Sequence, residues 1–270
     1  MMFLIGDDNV KIEKYNLWDN VPGNFDVVPD ITAYIPNEKK SDCAIVIFPA
    51  GGYGMLCDYE GGDYAKFFAD NGITAFVVNY RVAPNKFPLP LLDARRGVRF
   101  VRRNAELFGI DKNKVAVMGS SAGGHLAAMT STYYKEIDFE GMDDIDNEDF
   151  IPNAQILCYP VIRLLGKDVA HLGSGGNLLG ENHATMGEDL SPDLIASEKT
   201  PVAFIWHTSN DQIVDVRNSL YYSASLHQAG VLNECHIFPN GPHGMALSLD
   251  DDHVGQWKGL LLNWLKQIGF

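Results

Sequence analysis

The stretch that decides the fold is KVAVMGSSAGGHLAA, residues 114–128. Residues 114–118 form a short apolar run that predicts a buried strand, and a helix is predicted from about Ala122. Between them, residues 119–123 match the pattern G-x-S-x-G, with Ser121 at its centre. Small flanking residues permit a sharp, strained turn that raises a serine hydroxyl above the end of a sheet. The stretch therefore predicts a nucleophilic serine between a parallel strand and a helix, with a purely structural turn as the alternative.

Apolar runs of strand length alternate with helical segments along most of the chain. The predicted strands are 41–48, 73–79, 114–118, 154–159, 202–206 and 234–238. The predicted helices, besides the one after Ser121, are 61–71, 91–108, 216–228 and 253–267. Residues 10–35 are expected to hold irregular structure and short strands at an antiparallel edge. This alternation predicts an α/β fold: one domain over residues 1–270, with a mostly parallel central sheet of about eight strands and helices on both faces.

Two segments interrupt the alternation of strands and helices. Residues 164–197 are polar and rich in glycine, and a long segment of this kind inside a compact domain is usually functional. The other, residues 134–153, carries eight acidic residues between positions 136 and 149. We expect both segments to be loop insertions that form a cap or a pocket wall.

Part of the acidic segment superficially resembles a calcium-binding loop. Acidic residues alternate at Asp144, Asp146 and Glu148. However, Asp149 stands where such a loop needs glycine, and Gln155 stands where it needs glutamate. The sequence therefore predicts a solvated acidic loop and no metal site.

Composition narrows the class of partner and the location. Lys and Arg number 21 against 35 Asp and Glu, so the net charge is −14, which argues against nucleic acid and anionic membranes as partners. No apolar run approaches the ~20 residues of a membrane span. Residues 1–10 lack the basic and long apolar regions of a signal peptide, so a cytoplasmic location is expected. The four widely spaced cysteines are expected to be free thiols, mostly buried: Cys43, Cys57, Cys158 and Cys235.

A serine nucleophile needs a base, and the base needs an acid that orients it. His243 lies within the sequence GPHG, directly after the last predicted strand. Asp211 follows the strand before it, at a carboxyl end where sheets of this kind place their chemistry. Asp215 is the less favoured alternative, because it falls in the first turn of a predicted helix. The order Ser121, Asp211, His243 is the order found in enzymes that carry this serine turn.

An acyl-transfer enzyme also needs hydrogen-bond donors for the oxyanion. The sequence PAGGYG, residues 49–54, follows a predicted strand, and its glycines let backbone N–H groups approach a substrate closely. The expected donors are the N–H groups of Gly51 or Gly52 together with that of Ala122, the residue after the nucleophile.

Several other side chains are candidates for contact with a substrate. Tyr53, Tyr80 and His207 lie at or just beyond the ends of predicted strands. Core packing is the alternative for the tyrosines, and a hydrogen-bonded strand end is the alternative for the histidine. His171 and His183, in the glycine-rich segment, are weaker candidates for a place in the pocket.

Further motifs occur in one order along residues 44–247, and together they resemble a known family. They are PAGGY (49–53), YRVAP (80–84), FPLPLLDAR (87–95), GID (109–111), GSSAGGHLA (119–127), NLLG (177–180), WHTSND (206–211) and GPHG (241–244). The sequence resembles the esterase/lipase group of α/β-hydrolases that includes hormone-sensitive-lipase-like enzymes. Within that group it is most similar to the bacterial carbohydrate acetyl esterases of the acetyl-xylan or feruloyl esterase type.

The resemblance implies a serine carboxylesterase that hydrolyses short acyl esters, especially acetyl groups on sugars, and needs no metal or organic cofactor. The aromatic faces of Tyr59 and Trp206 are further candidates for sugar contact. Two alternative functions stay open: a small-peptide or amide hydrolase of the prolyl-oligopeptidase type, and a non-catalytic binding module. The size of the chain is compatible with a homo-oligomer. The implied site residues are the triad Ser121, Asp211 and His243 and the oxyanion donors Gly51, Gly52 and Ala122.

Overall fold

A single mixed sheet organises the part of the chain that the computed structural model describes, which is residues 2–4 (backbone only), 9–23, 27–139, 142–166 and 168–270. Its nine strands there are β1 (Met2–Leu4), β2 (Val10–Asn16), β3 (Asp30–Pro36), β4 (Ala44–Phe48), β5 (Thr74–Asn79), β6 (Val115–Ser120), β7 (Ala154–Cys158), β8 (Val202–Thr208) and β9 (Asn233–Phe238). They are arranged in the order β1-β2-β3-β5-β4-β6-β7-β8-β9. The pairs β1–β2, β2–β3 and β3–β5 are antiparallel. The pairs β5–β4, β4–β6, β6–β7, β7–β8 and β8–β9 are parallel. The predicted fold class and the antiparallel edge are confirmed.

Helices cover both faces of the sheet. They are α1 (Gly62–Asp70), α2 (Leu89–Arg103), α3 (Ala105–Phe108), α4 (Ser121–Thr132), α5 (Leu172–Leu179), α6 (His183–Met186), α7 (Pro192–Ile195), α8 (Arg217–Gln228) and α9 (Trp257–Gln267). Side chains of β4 alternate between two cores: Val46 and Phe48 pack with α2, α4 and α8, whereas Ile45 and Ile47 pack with α1 and α9. This period of two, with every position buried, is why the central strands read as continuous apolar runs.

The helix predicted over residues 91–108 is divided in two. α2 ends at Arg103 and α3 begins at Ala105, with Asn104 between them. The Asn104 side-chain amide donates a hydrogen bond to the carbonyl of Phe100 at 2.8 Å. Because this bond competes with the regular helical ladder, it favours an interruption that apolar spacing alone does not reveal.

The acidic segment is only partly a solvated loop, and that expectation is corrected in part: four of its described acidic residues are exposed, but two others pair with α2. Asp146 is buried and forms ion pairs with Arg96 at 2.8 Å and Arg99 at 3.5 Å, both on α2. Asp143 also pairs with Arg96, at 2.6 Å. Asp143 and Asp146 therefore neutralise arginines of α2. Residues 140–141, also part of that prediction, lie outside the described residues.

The glycine-rich segment holds the short helices α5, α6 and α7. The Asn177 side-chain amide donates to the carbonyl of Gly52 at 2.9 Å, and the N–H of Phe87 donates to the carbonyl of Leu178 at 2.8 Å. α5 is thus bonded through Asn177 to the loop after β4, which carries the predicted oxyanion donors, and through Leu178 to the segment between β5 and α2.

Two smaller expectations concern membranes and thiols. Among the described residues, no helix combines the length and apolarity that a membrane crossing requires. All four cysteines are free; Cys43 and Cys158 are buried, and Cys57 and Cys235 are partly buried.

Candidate active site

Ser121 lies in a tight turn between β6 and α4. Its φ is +52°, in the left-handed region that non-glycine residues rarely adopt. A Cβ on Gly119 would lie 2.1 Å from the carbonyl oxygen of Gly123, and a Cβ on Gly123 would lie 2.1 Å from that of Phe48. Only glycine fits at these two positions, so the G-x-S-x-G pattern is a packing requirement of the strained turn.

His243 follows β9 and reaches the serine from a neighbouring loop. Its Nε2 lies 2.9 Å from Ser121 Oγ, and its Nδ1 lies 2.6 Å from Asp211 Oδ2. Gly241 and Gly244 have φ values of +155° and +79°, which allow the loop to turn sharply on both sides of the histidine. The structure therefore brings the three residues predicted as a triad into one hydrogen-bonded chain.

Asp211 follows β8 and is fixed by several donors. Its Oδ1 accepts hydrogen bonds from the N–H groups of Ile213 at 2.8 Å and Val214 at 3.0 Å, and its Oδ2 also lies 3.1 Å from His207 Nε2. Burial opposes the charged form, but hydrogen bonds from His207, from His243 and from the two amides outweigh it and hold the pKa of Asp211 well below its usual range. Asp211 is therefore a carboxylate at neutral pH.

The alternative acid, Asp215, is engaged elsewhere. Its carboxylate forms a two-point ion pair with Arg217, at 2.9 Å to Nε and 2.6 Å to an Nη atom. This partner lowers the pKa of Asp215. Of the two aspartates, Asp211 is the one hydrogen-bonded to His243.

Tyr53, Tyr80 and His207 are corrected as candidates for substrate contact, because none is more than 2% exposed. The Tyr80 hydroxyl donates to the carbonyl of Pro49 at 2.6 Å. His207 Nδ1 lies 2.8 Å from Ser219 Oγ, while its Nε2 faces Asp211. The aromatic residues at these strand ends support the loops of the site from within and leave no surface for a ligand.

Tyr53 joins the loop after β4 to helix α4. Its hydroxyl lies 2.7 Å from His125 Nδ1, and His125 Nε2 lies 2.8 Å from the carbonyl of Leu190. Burial lowers the pKa of His125 to about 4, so this histidine is neutral at pH 7. The contact links the loop after β4 to the helix that begins at the serine.

The loop after β4 turns sharply at its two glycines. Gly51 and Gly52 have φ values of +132° and +64°, and a Cβ on Gly51 would lie 2.0 Å from the carbonyl oxygen of Met55. The Gly51 carbonyl accepts from Gly54 at 3.0 Å and from Met55 at 3.2 Å, which closes the turn. Within the described parts of the chain, no backbone acceptor is bonded to the N–H groups of Gly51, Gly52 or Ala122.

The two loop histidines have structural partners. His171 Nδ1 lies 2.8 Å from Ser174 Oγ at the beginning of α5, and His183 Nε2 lies 2.5 Å from the carbonyl of Leu164. Burial is the main cause that lowers the pKa of His171, and the charge of nearby His243 acts in the same direction. A pocket role for either histidine stays a prediction.

Two residues beside His243 escaped the sequence analysis. The Tyr159 ring lies 5.0 Å from the His243 ring, centre to centre, and its hydroxyl donates to Glu60 Oε1 at 2.5 Å. Tyr159 directly follows β7, and this position at the carboxyl end of a strand could have identified it as a residue near the site. Glu60 lies 99 residues away in a polar stretch, where no sequence pattern distinguishes it from a surface acid.

Residues 30–226 match the BD-FAE protein family. The chain is 34% identical over 246 residues to an acetylxylan esterase from Xylanibacter ruminicola, covering 88% of this chain and 48% of that protein. It is also 34% identical to endo-1,4-beta-xylanase B from Butyrivibrio fibrisolvens over 265 residues, which are 93% of this chain and 40% of that protein. The chain thus spans less than half the length of either relative.

A solved structure resembles the chain over nearly its whole length. The acetyl ester-xyloside bifunctional hydrolase from Caldicellulosiruptor lactoaceticus is 40% identical and superposes with a TM-score of 0.89. The match covers 96% of this chain and 97% of that one.

Proposed function

Because the chain belongs to the BD-FAE family, within the esterase group of α/β-hydrolases, we propose that it is a serine carboxylesterase that removes short acyl groups, especially acetyl, from carbohydrates. The observation that carries the proposal is the hydrogen-bonded chain Ser121–His243–Asp211. A serine bonded to a histidine that is bonded in turn to an ionised carboxylate is the arrangement that acyl transfer requires.

The proposed reaction begins when His243 Nε2 takes the proton of Ser121 as the hydroxyl attacks an ester carbonyl. Asp211 keeps the proton-bearing Nδ1 in place and stabilises the imidazolium that forms. His243 then protonates the departing alcohol, which leaves an acyl group on Ser121. Water, deprotonated by His243, hydrolyses this acyl-enzyme and restores the free serine.

The tetrahedral intermediates carry a negative oxygen that needs donors. We assign this role to the N–H groups of Gly51, Gly52 and Ala122, because no backbone acceptor is bonded to them within the described residues. Ala122 directly follows the serine, and β4, which leads into Gly51 and Gly52, pairs with β6, which leads into the serine. Each effective donor of this kind contributes about 10²–10³ in rate. The Asn177 bond to the Gly52 carbonyl supports a further proposal, that residues 164–197 form one wall of the pocket.

The choice of an acetylated carbohydrate rests on two kinds of support. One is the similarity to an acetylxylan esterase and to an acetyl ester-xyloside hydrolase. The other is Tyr59, which is 46% exposed and whose hydroxyl lies 3.2 Å from where a Cβ of Gly244 would stand. Since His243 protonates the leaving alcohol, an exposed aromatic ring beside its loop suits the sugar that departs.

The test is hydrolysis of p-nitrophenyl acetate, butyrate and octanoate by the wild type and by Ser121→Ala. We expect activity that is highest on acetate and is lost in the variant. Acetylated xylo-oligosaccharides and an aminoacyl p-nitroanilide follow as second substrates. A folded wild type that cleaves the amide and none of the esters would replace this proposal with a peptidase.

A further inference from the structure

A buried polar cluster lies beside His243 and takes no part in the triad. The Tyr159 hydroxyl is 2.5 Å from Glu60 Oε1 and 3.3 Å from the Tyr64 hydroxyl, which is 2.8 Å from Ser120 Oγ. None of these side chains is more than 2% exposed. A buried carboxyl is costly unless it is hydrogen-bonded, and the Tyr159 hydroxyl supplies that bond to Glu60.

The hydrogen bonds around the Tyr159 hydroxyl have a fixed direction. The N–H of Ala246 lies 2.9 Å from the Tyr159 oxygen, and a backbone N–H can only donate. The oxygen is therefore the acceptor from Ala246, and its single hydrogen is free to point at Glu60. Glu60 thus fixes the orientation of a hydroxyl that holds the third residue after His243.

The loop that receives this bond is under backbone strain. Ala246 has a φ of +47°, and Tyr159 itself has a φ of +35°. Non-glycine residues in this region are strained and persist only where surrounding contacts hold them. The Tyr159 ring also packs edge-on against the His243 ring. Loop and imidazole are therefore both in contact with one side chain.

Resting on the proposed esterase function, we propose that Tyr159, oriented by Glu60, is a positioning residue that holds the His243 loop and imidazole in line with Ser121. Glu60 and Tyr159 do not touch the reacting atoms. Their effect reaches the reaction through the placement of His243, where a displacement of about 1 Å is enough to cost ~10²-fold in rate.

The chain offers a matched control for deletion of a buried tyrosine hydroxyl. Tyr222 is fully buried, and its hydroxyl donates to Gln155 Oε1 at 3.0 Å. Its partners lie between α8 and β7, away from His243. Tyr222→Phe therefore removes a buried hydrogen bond to a side-chain carbonyl without altering the histidine loop.

The experiment compares Tyr159→Phe, Glu60→Ala and Glu60→Gln with Tyr222→Phe on p-nitrophenyl acetate. We expect Tyr159→Phe and Glu60→Ala to lower kcat by about 10- to 100-fold with little change in KM. Glu60→Gln, which keeps an acceptor for the hydroxyl, should exceed Glu60→Ala in kcat by about fivefold or more. Tyr222→Phe should lose a similar amount of Tm and keep its kcat.

A readout that does not depend on turnover separates this proposal from the esterase proposal. The low-field proton NMR signal of the hydrogen between His243 and Asp211 should shift or broaden in Tyr159→Phe and stay unchanged in Tyr222→Phe. An unchanged signal together with a wild-type kcat in Tyr159→Phe would overturn the positioning role. Equal kcat losses in Tyr159→Phe and Tyr222→Phe would also overturn it, since that pattern follows from stability alone. An inactive wild type with the expected NMR shift would overturn the esterase function and keep the positioning role.

Discussion

Two carboxyl groups lie close to His243, and their surroundings give them opposite character. Asp211 bonds to the imidazole directly and receives N–H donors from two backbone amides, which keep its pKa well below the usual range. Glu60 is separated from the imidazole by Tyr159, and burial raises its pKa although the Tyr159 bond and the charge of His243 oppose the rise. Asp211 is thus held as a carboxylate, whereas the environment of Glu60 favours the neutral carboxylic acid.

The difference teaches that the donors around a carboxyl, more than its burial, decide its charge. Both side chains are buried, yet only Asp211 is surrounded by N–H groups that stabilise a negative charge. An anion in direct contact stabilises an imidazolium.

The largest expected effect comes from removing Ser121, the proposed nucleophile. Ser121→Ala should lower kcat by about 10⁴–10⁶, because the remaining site can only bind and polarise the ester. Active-site labelling by a fluorophosphonate, followed by mass spectrometry, should be lost as well. Circular dichroism should stay native. Labelling of the variant at a rate equal to the wild type would contradict the assignment of Ser121.

The next largest effect on kcat distinguishes Asp211 from Glu60. Asp211→Asn should lower kcat by about 10⁴, because an amide favours the wrong imidazole tautomer and cannot stabilise the imidazolium. Glu60→Gln should fall far short of that loss, since it acts only on placement. Steady-state kinetics on p-nitrophenyl acetate measure both variants, and equal losses would show that the comparison between the two carboxyls is wrong.

The pH dependence of stability should carry opposite signs for the two acids. The folded chain holds the Glu60 proton more tightly than the unfolded chain, so this group's contribution falls as pH rises above 4.5. Asp211 holds its proton less tightly when folded, so its contribution is complete above about pH 4 and is lost as pH falls.

Urea unfolding between pH 3 and pH 8 tests these signs. The free energy of unfolding of Glu60→Gln should increase relative to the wild type from pH 5 to pH 8. Asp211→Asn should be least stable relative to the wild type at neutral pH and recover toward pH 3. Parallel curves for Glu60→Gln and the wild type would contradict the raised pKa.

The smallest effect concerns Tyr59, the exposed neighbour of buried Glu60. Tyr59→Ala should raise KM for an acetylated xylo-oligosaccharide by about 3- to 10-fold, because an aromatic contact with the sugar is lost. Its kinetics on p-nitrophenyl acetate should change little in comparison. Tyr221→Ala, a partly exposed tyrosine on α8, is the control. Equal KM values for Tyr59→Ala and Tyr221→Ala would remove Tyr59 from the sugar contact.

The fold and the central residues were predictable because they depend on local constraints. Strands buried on both faces must be apolar throughout, as β4 is, and this is visible in any single sequence. The serine turn was visible because backbone atoms exclude every side chain at Gly119 and Gly123. His243 and Asp211 followed from their places after successive strands.

The rest depends on partners that are distant in sequence. The pairing of Asp146 with Arg96 joins residues 50 positions apart, and an acid in a loop looks the same whether it is solvated or paired. Tyr53 and Tyr80 are of a residue type that often contacts ligands, but their hydroxyls are hydrogen-bonded to acceptors inside the protein. Only the packing shows which aromatic rings remain exposed, and Tyr59 is one of them.

The ion pairs between the acidic segment and α2 also constrain how this part of the chain can evolve. Loss of either partner of a buried pair leaves an uncompensated charge, at a cost of about 3–5 kcal/mol. Arg96 bonds to both Asp143 and Asp146, so loss of Arg96 would strand two carboxylates at once, whereas loss of Asp143 leaves Arg96 paired with buried Asp146. Arg96 and Asp146 are therefore expected to be inherited together, so that the helix cannot lose its arginine while the segment keeps its buried acid.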